Sequence, residues 1–140
     1  MLSIGLNVKR KTCVIIGGGH VALRKLTRLL AEGAIVTLVA PEVLPGIVAL
    51  QSEKLTIATR PYERFDIEHA YLVFAATDNA ELNATIAGDC KQFGIWCNVV
   101  DNDKISNFVM QSVASAGLLY ISVGTQGTLP YLSRHLREAF

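Results

Sequence analysis

The feature that most constrains the fold is a run of three adjacent glycines in the sequence VIIGGGHVALRK, residues 14–25. Glycine loses more backbone freedom on folding than any other residue, so three in a row need a structural reason. The β-branched run at 12–18 ends in glycine, which predicts a buried strand. Beyond the glycines, apolar residues recur every three or four positions until Gly33. This spacing predicts an amphipathic helix over 20–32.

The rest of the chain continues the alternation of strand and helix. Apolar or alternating runs predict four further strands, at 34–41, 55–62, 70–77 and 95–100. Helical patterns lie at 42–53, where Pro45 and Gly46 weaken the helix, and at 80–93. Such alternation with short links is typical of a parallel sheet covered on both faces. We therefore predict a Rossmann-like, doubly wound α/β fold with a mainly parallel sheet.

The pattern changes near the C-terminus. Residues 107–125 predict a late pair of strands around a Ser-Ala-Gly turn, and 129–140 predict a C-terminal helix that begins near Pro130. No repeat, low-complexity tract or linker interrupts the sequence. We therefore predict one domain over residues 1–140.

Composition excludes several classes of protein. The chain is 51% hydrophobic and 18% charged with a formal charge of +1, which is unlike a disordered chain and lacks the basic footprint of a nucleic-acid-binding protein. No apolar run approaches the roughly 18 residues that a membrane span needs. The basic residues near the N-terminus follow the first apolar ones, which is the wrong order for a secretory signal. We expect a cytoplasmic protein that binds neither nucleic acid nor a membrane.

The three cysteines favour a reducing compartment. Cys13, Cys90 and Cys97 are widely spaced, in or beside apolar segments. This arrangement favours buried free thiols, and it lacks the close ligand spacing of a metal site. We predict no metal ligands.

The glycine turn has the spacing of a dinucleotide fingerprint. Gly17, Gly19 and Ala22 form G-x-G-x-x-A at a strand-to-helix junction. The first glycine permits the tight turn, the second lets a pyrophosphate approach the backbone, and the alanine lets the helix pack closely on the strand. The helix N-terminus favours the phosphate charge. The alternative is a glycine-rich turn without a ligand.

The end of the second strand bears on which dinucleotide is bound. A typical NAD site has an acidic residue there that hydrogen-bonds the ribose hydroxyls. Here the strand ends in LVAPE, so Glu42 comes slightly late, and no arginine is present to bind a 2′-phosphate. We favour NAD over NADP. Glu42 is either a ribose contact or a first-turn acid of the next helix.

Polar residues follow the fourth and fifth strands, in AATDN at 75–79 and NVVDNDK at 98–104. In an open α/β sheet, ligands bind beyond the carboxyl ends of the strands. We therefore expect the ends after Ile16, Val39, Ala75 and Val100 to converge on one crevice. There Asp101 could act as a general base, or it could simply close a turn, since Asp-Asn-Asp is turn chemistry.

Five segments together resemble a known family. GGGHVALRK, VAPE, AATDNAELN, CNVVDN and ISVGTQGTLPYLSRHLRE occur in this order and cover about residues 6–138. They resemble the dinucleotide-binding domain of precorrin-2 dehydrogenases, the N-terminal family of siroheme synthases. The resemblance implies NAD-dependent oxidation of precorrin-2, a tetrapyrrole, to sirohydrochlorin on the route to siroheme or cobalamin. Some members also insert ferrous iron.

The resemblance also implies roles for individual residues. It makes Asp101 the base, and it places Thr125 near the substrate pocket, although Gln126 departs from the short residue common after it. It assigns His20 with Val21 and Pro41 with Glu42 to the cofactor. With the glycines and the strand ends, the predicted cofactor-binding set is Gly17, Gly18, Gly19, His20, Val21, Pro41, Glu42, Ala76, Thr77 and Asn98.

Family members continue into a helical dimerisation segment beyond the position of Phe140. The resemblance therefore implies that residues 1–140 are the NAD-binding domain without that segment. It also implies a homodimer, for which the apolar late segment could supply an interface, unless that segment is ordinary core. Two alternatives stay open at this point. One is a non-catalytic NAD-binding module for sensing or scaffolding, and the other is an oxidoreductase with a different small substrate.

Overall fold

A parallel sheet forms the centre of the structure. The computed structural model describes residues 1–124, 135 and 137–139. Its sheet consists of the strands β1 (Thr12–Ile16), β2 (Ile35–Val39), β3 (Leu55–Ala58), β4 (Leu72–Ala75) and β5 (Trp96–Val99). The order across the sheet is β3-β2-β1-β4-β5, and every neighbouring pair is parallel. The predicted Rossmann-like α/β architecture is confirmed.

Three α-helices accompany the sheet in the described part of the chain: α1 (His20–Ala31), α2 (Pro45–Val48) and α3 (Ala80–Phe93). The helix predicted over 42–53 shrinks to α2, because Pro45 can begin a helix but the chain turns away at Gln51, which has a φ of 43°. Two 3-10 helices, Arg64–Ile67 and Asp103–Ile105, were not predicted. Segments of three or four residues are too short to show a periodic pattern.

The helices cover opposite faces of the sheet. Ile86 and Cys90 of α3 pack in one cluster with Val14, Val73 and Val99 of the strands. The ammonium of Lys25 in α1 instead lies 5.8 Å from the ring centroid of Phe74. Because neighbouring residues of a strand point to opposite faces, α1 and α3 lie on different sides of β4. All three cysteines are buried free thiols, as predicted.

The order of the strands reverses between β1 and β4. The chain runs outward from β1 to β3 and then returns to the other side of β1. Ile16 pairs with both Val39 and Ala75, so the carboxyl ends of β1, β2 and β4 are level. A crevice at such a reversal is where open α/β sheets bind ligands. The ends after Ile16, Val39 and Ala75 are therefore level, as expected, and the convergence of all four strand ends on one crevice stays a prediction.

The outer edge of β5 is covered by the chain that follows it. The amide oxygen of Asn107 accepts a hydrogen bond from Cys97 N at 3.0 Å, and Asn107 N donates to Cys97 O at 2.9 Å. The hydroxyl of Ser106 accepts from Val99 N at 2.8 Å. Backbone groups on an edge strand otherwise offer a template for another chain, so these contacts close that edge.

The late strands form a hairpin, as predicted. β6 (Ser112–Ala116) and β7 (Leu119–Val123) pair antiparallel around Gly117, whose φ is +59°. By backbone contacts, Ile4–Phe108 forms one compact unit, and Met1–Ser3 with the chain from Val109 onward forms another. Residues 135 and 137–139 have helical backbone, while the rest of the helix predicted over 129–140 lies outside the described residues. The single domain over 1–140 stays a prediction.

Asp66 is a buried carboxylate that accepts hydrogen bonds from a side chain and from the backbone. Its side chain is 4% exposed, and its carboxylate accepts hydrogen bonds from Arg60 Nη1 at 2.9 Å and Glu63 N at 2.8 Å. Burial alone raises the pKa of Asp66, but these hydrogen bonds outweigh it and lower the pKa below its usual value. A lowered pKa in the folded state means that the stabilisation is present at neutral pH and is lost as the pH falls through that pKa.

We therefore expect Asp66→Asn to reduce the free energy of unfolding by about 1–3 kcal/mol at pH 7, and by less below about pH 4. Urea titrations at pH 7 and pH 3 measure the difference. Glu68→Gln, at an exposed carboxylate just after the same 3-10 helix, is the control and should change neither value. An equal loss at both pH values in Asp66→Asn would contradict the role of its charge.

Candidate functional site

Gly17 brings the ends of β1 and β4 into direct backbone contact. It has a φ of +136°, and a Cβ at this position would lie 2.3 Å from the carbonyl oxygen of Ala76. Its N–H donates to Val39 O at 2.9 Å. No other residue type fits a positive φ against a neighbouring backbone in this way. The first glycine of the fingerprint therefore makes the tight turn, as its position predicts.

Gly18 is required by the loop after β2. A Cβ here would lie 2.1 Å from the carbonyl oxygen of Glu42 and 3.1 Å from the Cβ of Ala40. The carbonyl of Gly18 also accepts a hydrogen bond from Leu44 N at 2.9 Å. This glycine therefore has a packing reason of its own, which lets the loop after β2 lie directly on the turn.

Gly19 differs from the other two glycines because it borders open space. Apart from its neighbours in the chain, no described residue has an atom within 4 Å of a Cβ placed here, and the backbone at this position is extended. Gly19 is the N-cap of α1, its first turn holds no acidic residue, and no side chain within the described residues caps the helix. The first N–H groups of a helix lack partners within it and attract anions. The turn therefore fits a pyrophosphate at this position.

The residues that flank the glycine turn lie at the surface. His20 and Val21 form the first turn of α1, where His20 is exposed and Val21 is half-buried. Pro41 and Glu42 follow β2 and are exposed. Since α2 begins only at Pro45, Glu42 is not a first-turn acid, which removes that interpretation. Ala22 is fully buried, as close packing of α1 requires.

The end of β4 is held by a residue that sequence reasoning missed. Thr77 follows the buried Ala76, and the side chain of Asn83 in α3 bonds to its backbone and hydroxyl. Asn83 is 5% exposed and lies at helical spacing from the buried Ile86 and Cys90. A polar residue on the apolar face of a predicted helix was the signal that could have revealed it.

Asp101 lies beyond the end of β5 beside a cleft of about 240 Å³. The walls of this cleft also include Thr77 after β4 and Asn83 in α3. Asp101 is exposed and has a φ of 57°, a left-handed conformation that aspartate tolerates better than most residues. Asp101 therefore lies in a turn and lines the cleft, and its role as a general base stays a prediction.

Asn98 is a buried polar residue within β5. Its amide nitrogen donates to Phe108 O at 3.0 Å. Its oxygen is buried and has no hydrogen-bond partner among the described residues. An unpaired buried acceptor is uncommon, and a donor from a bound molecule would satisfy it.

Lys25 is partly buried in α1, whereas the neighbouring Arg24 is exposed. Burial lowers the pKa of Lys25, and repulsion from Arg24 and Arg28 lowers it further. The carboxylates of Asp101 and Asp103 act in the opposite direction. Positive charge therefore lies within electrostatic reach of the loop after β5.

Thr125, predicted near the substrate, lies outside the described residues. Among the residues that are described, no three His, Cys, Asp or Glu side chains gather as metal ligands. Within the same part of the chain, no helix has the length and apolar content needed to cross a membrane.

The sequence matches known proteins over almost its entire length. The model of an NAD(P)-binding family matches residues 4–112. Precorrin-2 dehydrogenase from Bacillus subtilis is 35% identical over 139 residues, which cover 99% of this chain and 85% of the relative. Siroheme synthase from Pseudoalteromonas atlantica is 36% identical over 96% of this chain, and siroheme synthase 2 from Aeromonas salmonicida is 41% identical over 89%. The chain spans only 29% and 26% of these two synthases.

A solved structure supports the fold independently. SirC, a precorrin-2 dehydrogenase, superposes with a TM-score of 0.82 over 99% of this chain and 69% of its own, at 24% identity. The family match confirms the predicted class of cofactor, a nicotinamide dinucleotide. The chain therefore belongs to the NAD(P)-binding family whose model it matches, and its relatives include precorrin-2 dehydrogenase and the siroheme synthases.

Proposed function

We propose that this protein is a precorrin-2 dehydrogenase, which uses NAD to oxidise precorrin-2 to sirohydrochlorin. The observation that carries the proposal is the open space at Gly19, at the uncapped start of α1. An anionic dinucleotide is the ligand that fits this turn in a family of NAD(P)-binding proteins. The names of the relatives supply the substrate class, a tetrapyrrole.

The residues around the crevice would hold the cofactor by its charge and its ribose. The N–H groups at the start of α1 would hold the pyrophosphate, with His20 and Val21 in that first turn. Glu42, exposed and free of α2, accepts hydrogen bonds from ribose hydroxyls, and its negative charge disfavours a 2′-phosphate. We therefore infer NAD rather than NADP. NAD supplies the hydride acceptor when it is bound.

Asp101 is proposed as the proton acceptor. Removal of a hydride from the macrocycle must be accompanied by loss of a proton, and an exposed carboxylate beside the cleft can take it. The wall formed by Thr77 and Asn83 would orient the cofactor and substrate relative to that carboxylate. Thr125 is retained as a proposed substrate contact. Insertion of ferrous iron gains no support from the described residues, since no ligand cluster lies among them.

The direct test is an assay with purified protein, NAD and enzymatically generated precorrin-2. We expect the absorbance spectrum of sirohydrochlorin to appear together with NADH at 1:1 stoichiometry. Omitting NAD, or replacing it with NADP, should abolish or strongly reduce turnover. If NAD binds with measurable affinity but no sirohydrochlorin forms, the proposed reaction is wrong, and the protein is either a non-catalytic binding module or an oxidoreductase with a different small substrate.

Two broader properties follow as proposals. Buried free thiols at all three cysteines support a reducing location, and we infer the cytoplasm. A homodimer is supported by exposed apolar side chains at the turn of the β6–β7 hairpin, where Leu118, Leu119 and Tyr120 face solvent. Light scattering coupled to size-exclusion chromatography measures the mass in solution, and the mass of a single chain would contradict the dimer.

A further inference from the structure

Asn83 is an unusual residue for its position in α3. It lies in the second turn of the helix on the face that carries Ile86 and Cys90, and it is 5% exposed. Burying an amide is unfavourable unless its polar atoms are hydrogen-bonded. The reason for an asparagine here must therefore lie in what its side chain bonds to.

Its side chain bonds to every polar group of Thr77. The Asn83 oxygen Oδ1 accepts from Thr77 N at 3.2 Å and from the Thr77 hydroxyl at 2.6 Å. The Asn83 nitrogen Nδ2 donates to Thr77 O at 3.1 Å. The orientation of the amide follows from the backbone, since an N–H can only donate and a carbonyl can only accept. One side chain thus clamps a single residue of the loop from three directions.

Thr77 lies between the glycine turn and the cleft that contains Asp101. Ala76 N is already fixed by a hydrogen bond to Ile16 O at 2.8 Å. A Cβ at Gly17 would lie 2.3 Å from Ala76 O and 3.3 Å from Thr77 N, so this backbone directly faces the glycine turn. Thr77 and Asn83 also line the cleft that contains Asp101. The sheet therefore fixes the backbone at Ala76, and Asn83 fixes the next residue, Thr77.

We propose that Asn83 is a positioning residue for dinucleotide binding, which acts by holding the Ala76–Thr77 backbone at a fixed distance from the glycine turn. The proposal rests on the proposed placement of the cofactor at that turn. Asn83 acts through Thr77, whose hydroxyl also accepts a hydrogen bond from Asn79 N at 3.2 Å. The loop carries the exposed polar residues Asp78 and Asn79 beyond the clamp.

The test compares Asn83→Leu with a variant that weakens α3 without touching the clamp. Asn79→Ala removes the helix cap, a hydrogen bond from Leu82 N to Asn79 Oδ1 at 3.1 Å, but leaves the bonds between Asn83 and Thr77. We expect both variants to lower the melting temperature. The dissociation constant for NAD, measured by calorimetry, should rise about tenfold or more in Asn83→Leu and less than about twofold in Asn79→Ala.

A second variant keeps the test informative if Asn83→Leu fails to fold. Asn83→Asp retains the acceptor for Thr77 N and its hydroxyl but places a carboxylate oxygen against Thr77 O in place of the donor, so NAD affinity should again fall measurably. In the turnover assay, KM for NAD should rise by a larger factor than any fall in kcat at saturating NAD.

The outcomes separate this proposal from the proposed function. Wild-type affinity for NAD in both Asn83 variants would show that the side chain only stabilises α3, and the proposal would be wrong. A change in affinity that tracks the melting temperature across all three variants, Asn79→Ala included, would overturn it as well. A wild-type protein that binds no dinucleotide would overturn the placement of the cofactor and this proposal together.

Discussion

Gly19→Val is expected to weaken NAD binding strongly while leaving the fold intact. Gly19 has an extended backbone that valine can adopt, and its Cβ would enter open space where the pyrophosphate is proposed to lie. The dissociation constant should rise by about 100-fold or more, since hydrogen bonds to a charged group contribute roughly 1.5–3 kcal/mol each. Calorimetry measures the affinity, and circular dichroism with thermal unfolding checks the fold.

Gly18→Ala is the matched comparison, because its main effect should be on stability and not on the space beside the turn. Its Cβ would lie 2.1 Å from the carbonyl oxygen of Glu42, so the backbone must shift. We expect the free energy of unfolding to fall by roughly 1–3 kcal/mol. If Gly19→Val bound NAD as tightly as wild type, the fingerprint would have only a structural role and the open space would belong to no ligand.

Asp101→Ala is expected to remove turnover and leave NAD affinity unchanged. A positioned general base contributes about 10²–10⁴ to a rate, so kcat should fall within that range. The φ of 57° at Asp101 strains alanine, so Asp101→Asn, which tolerates this conformation, provides the variant without added strain. Initial rates of NADH formation at saturating NAD and precorrin-2 give kcat for both variants.

A neighbouring carboxylate serves as the comparison for Asp101. Asp103 begins the 3-10 helix after β5 and is also exposed. Asp103→Asn should retain most of the wild-type kcat, because it lies outside the walls of the cleft. Comparable losses in Asp101→Asn and Asp103→Asn would mean that the negative charge of the loop matters and that neither residue is the base.

The fold could be predicted from the sequence because its strands are short apolar runs separated by helical periodicity. Parallel strands buried on both faces leave that pattern in the sequence. The strand order could not be read from the pattern, since pairing is set by tertiary contacts. The helix expected over 42–53 was too long because its apolar residues suggested a helix beyond what Pro45 and the turn at Gln51 allow.

Features of the candidate site that follow from residue type could be predicted from the sequence, whereas features that depend on contacts between distant residues could not. Gly17 could be assigned to the tight turn from its spacing alone. Gly18 packs against Glu42, whereas Gly19 faces open space. The sequence pattern does not contain this difference, because it depends on the position of the loop after β2. Asn83 gave no motif, because its role lies in bonds to a residue six positions earlier that only the end of β4 brings close.

The contact between Gly18 and the loop after β2 affects how coenzyme preference could be redesigned. The carbonyl of Glu42 lies in the space left by the missing side chain of Gly18, and Leu44 N donates back to the Gly18 carbonyl. A loop transplanted from an NADP-dependent protein would therefore need a backbone that makes the same close contact with Gly18. Altering residue 42 alone, on the existing backbone, is the change that the scaffold accommodates most readily.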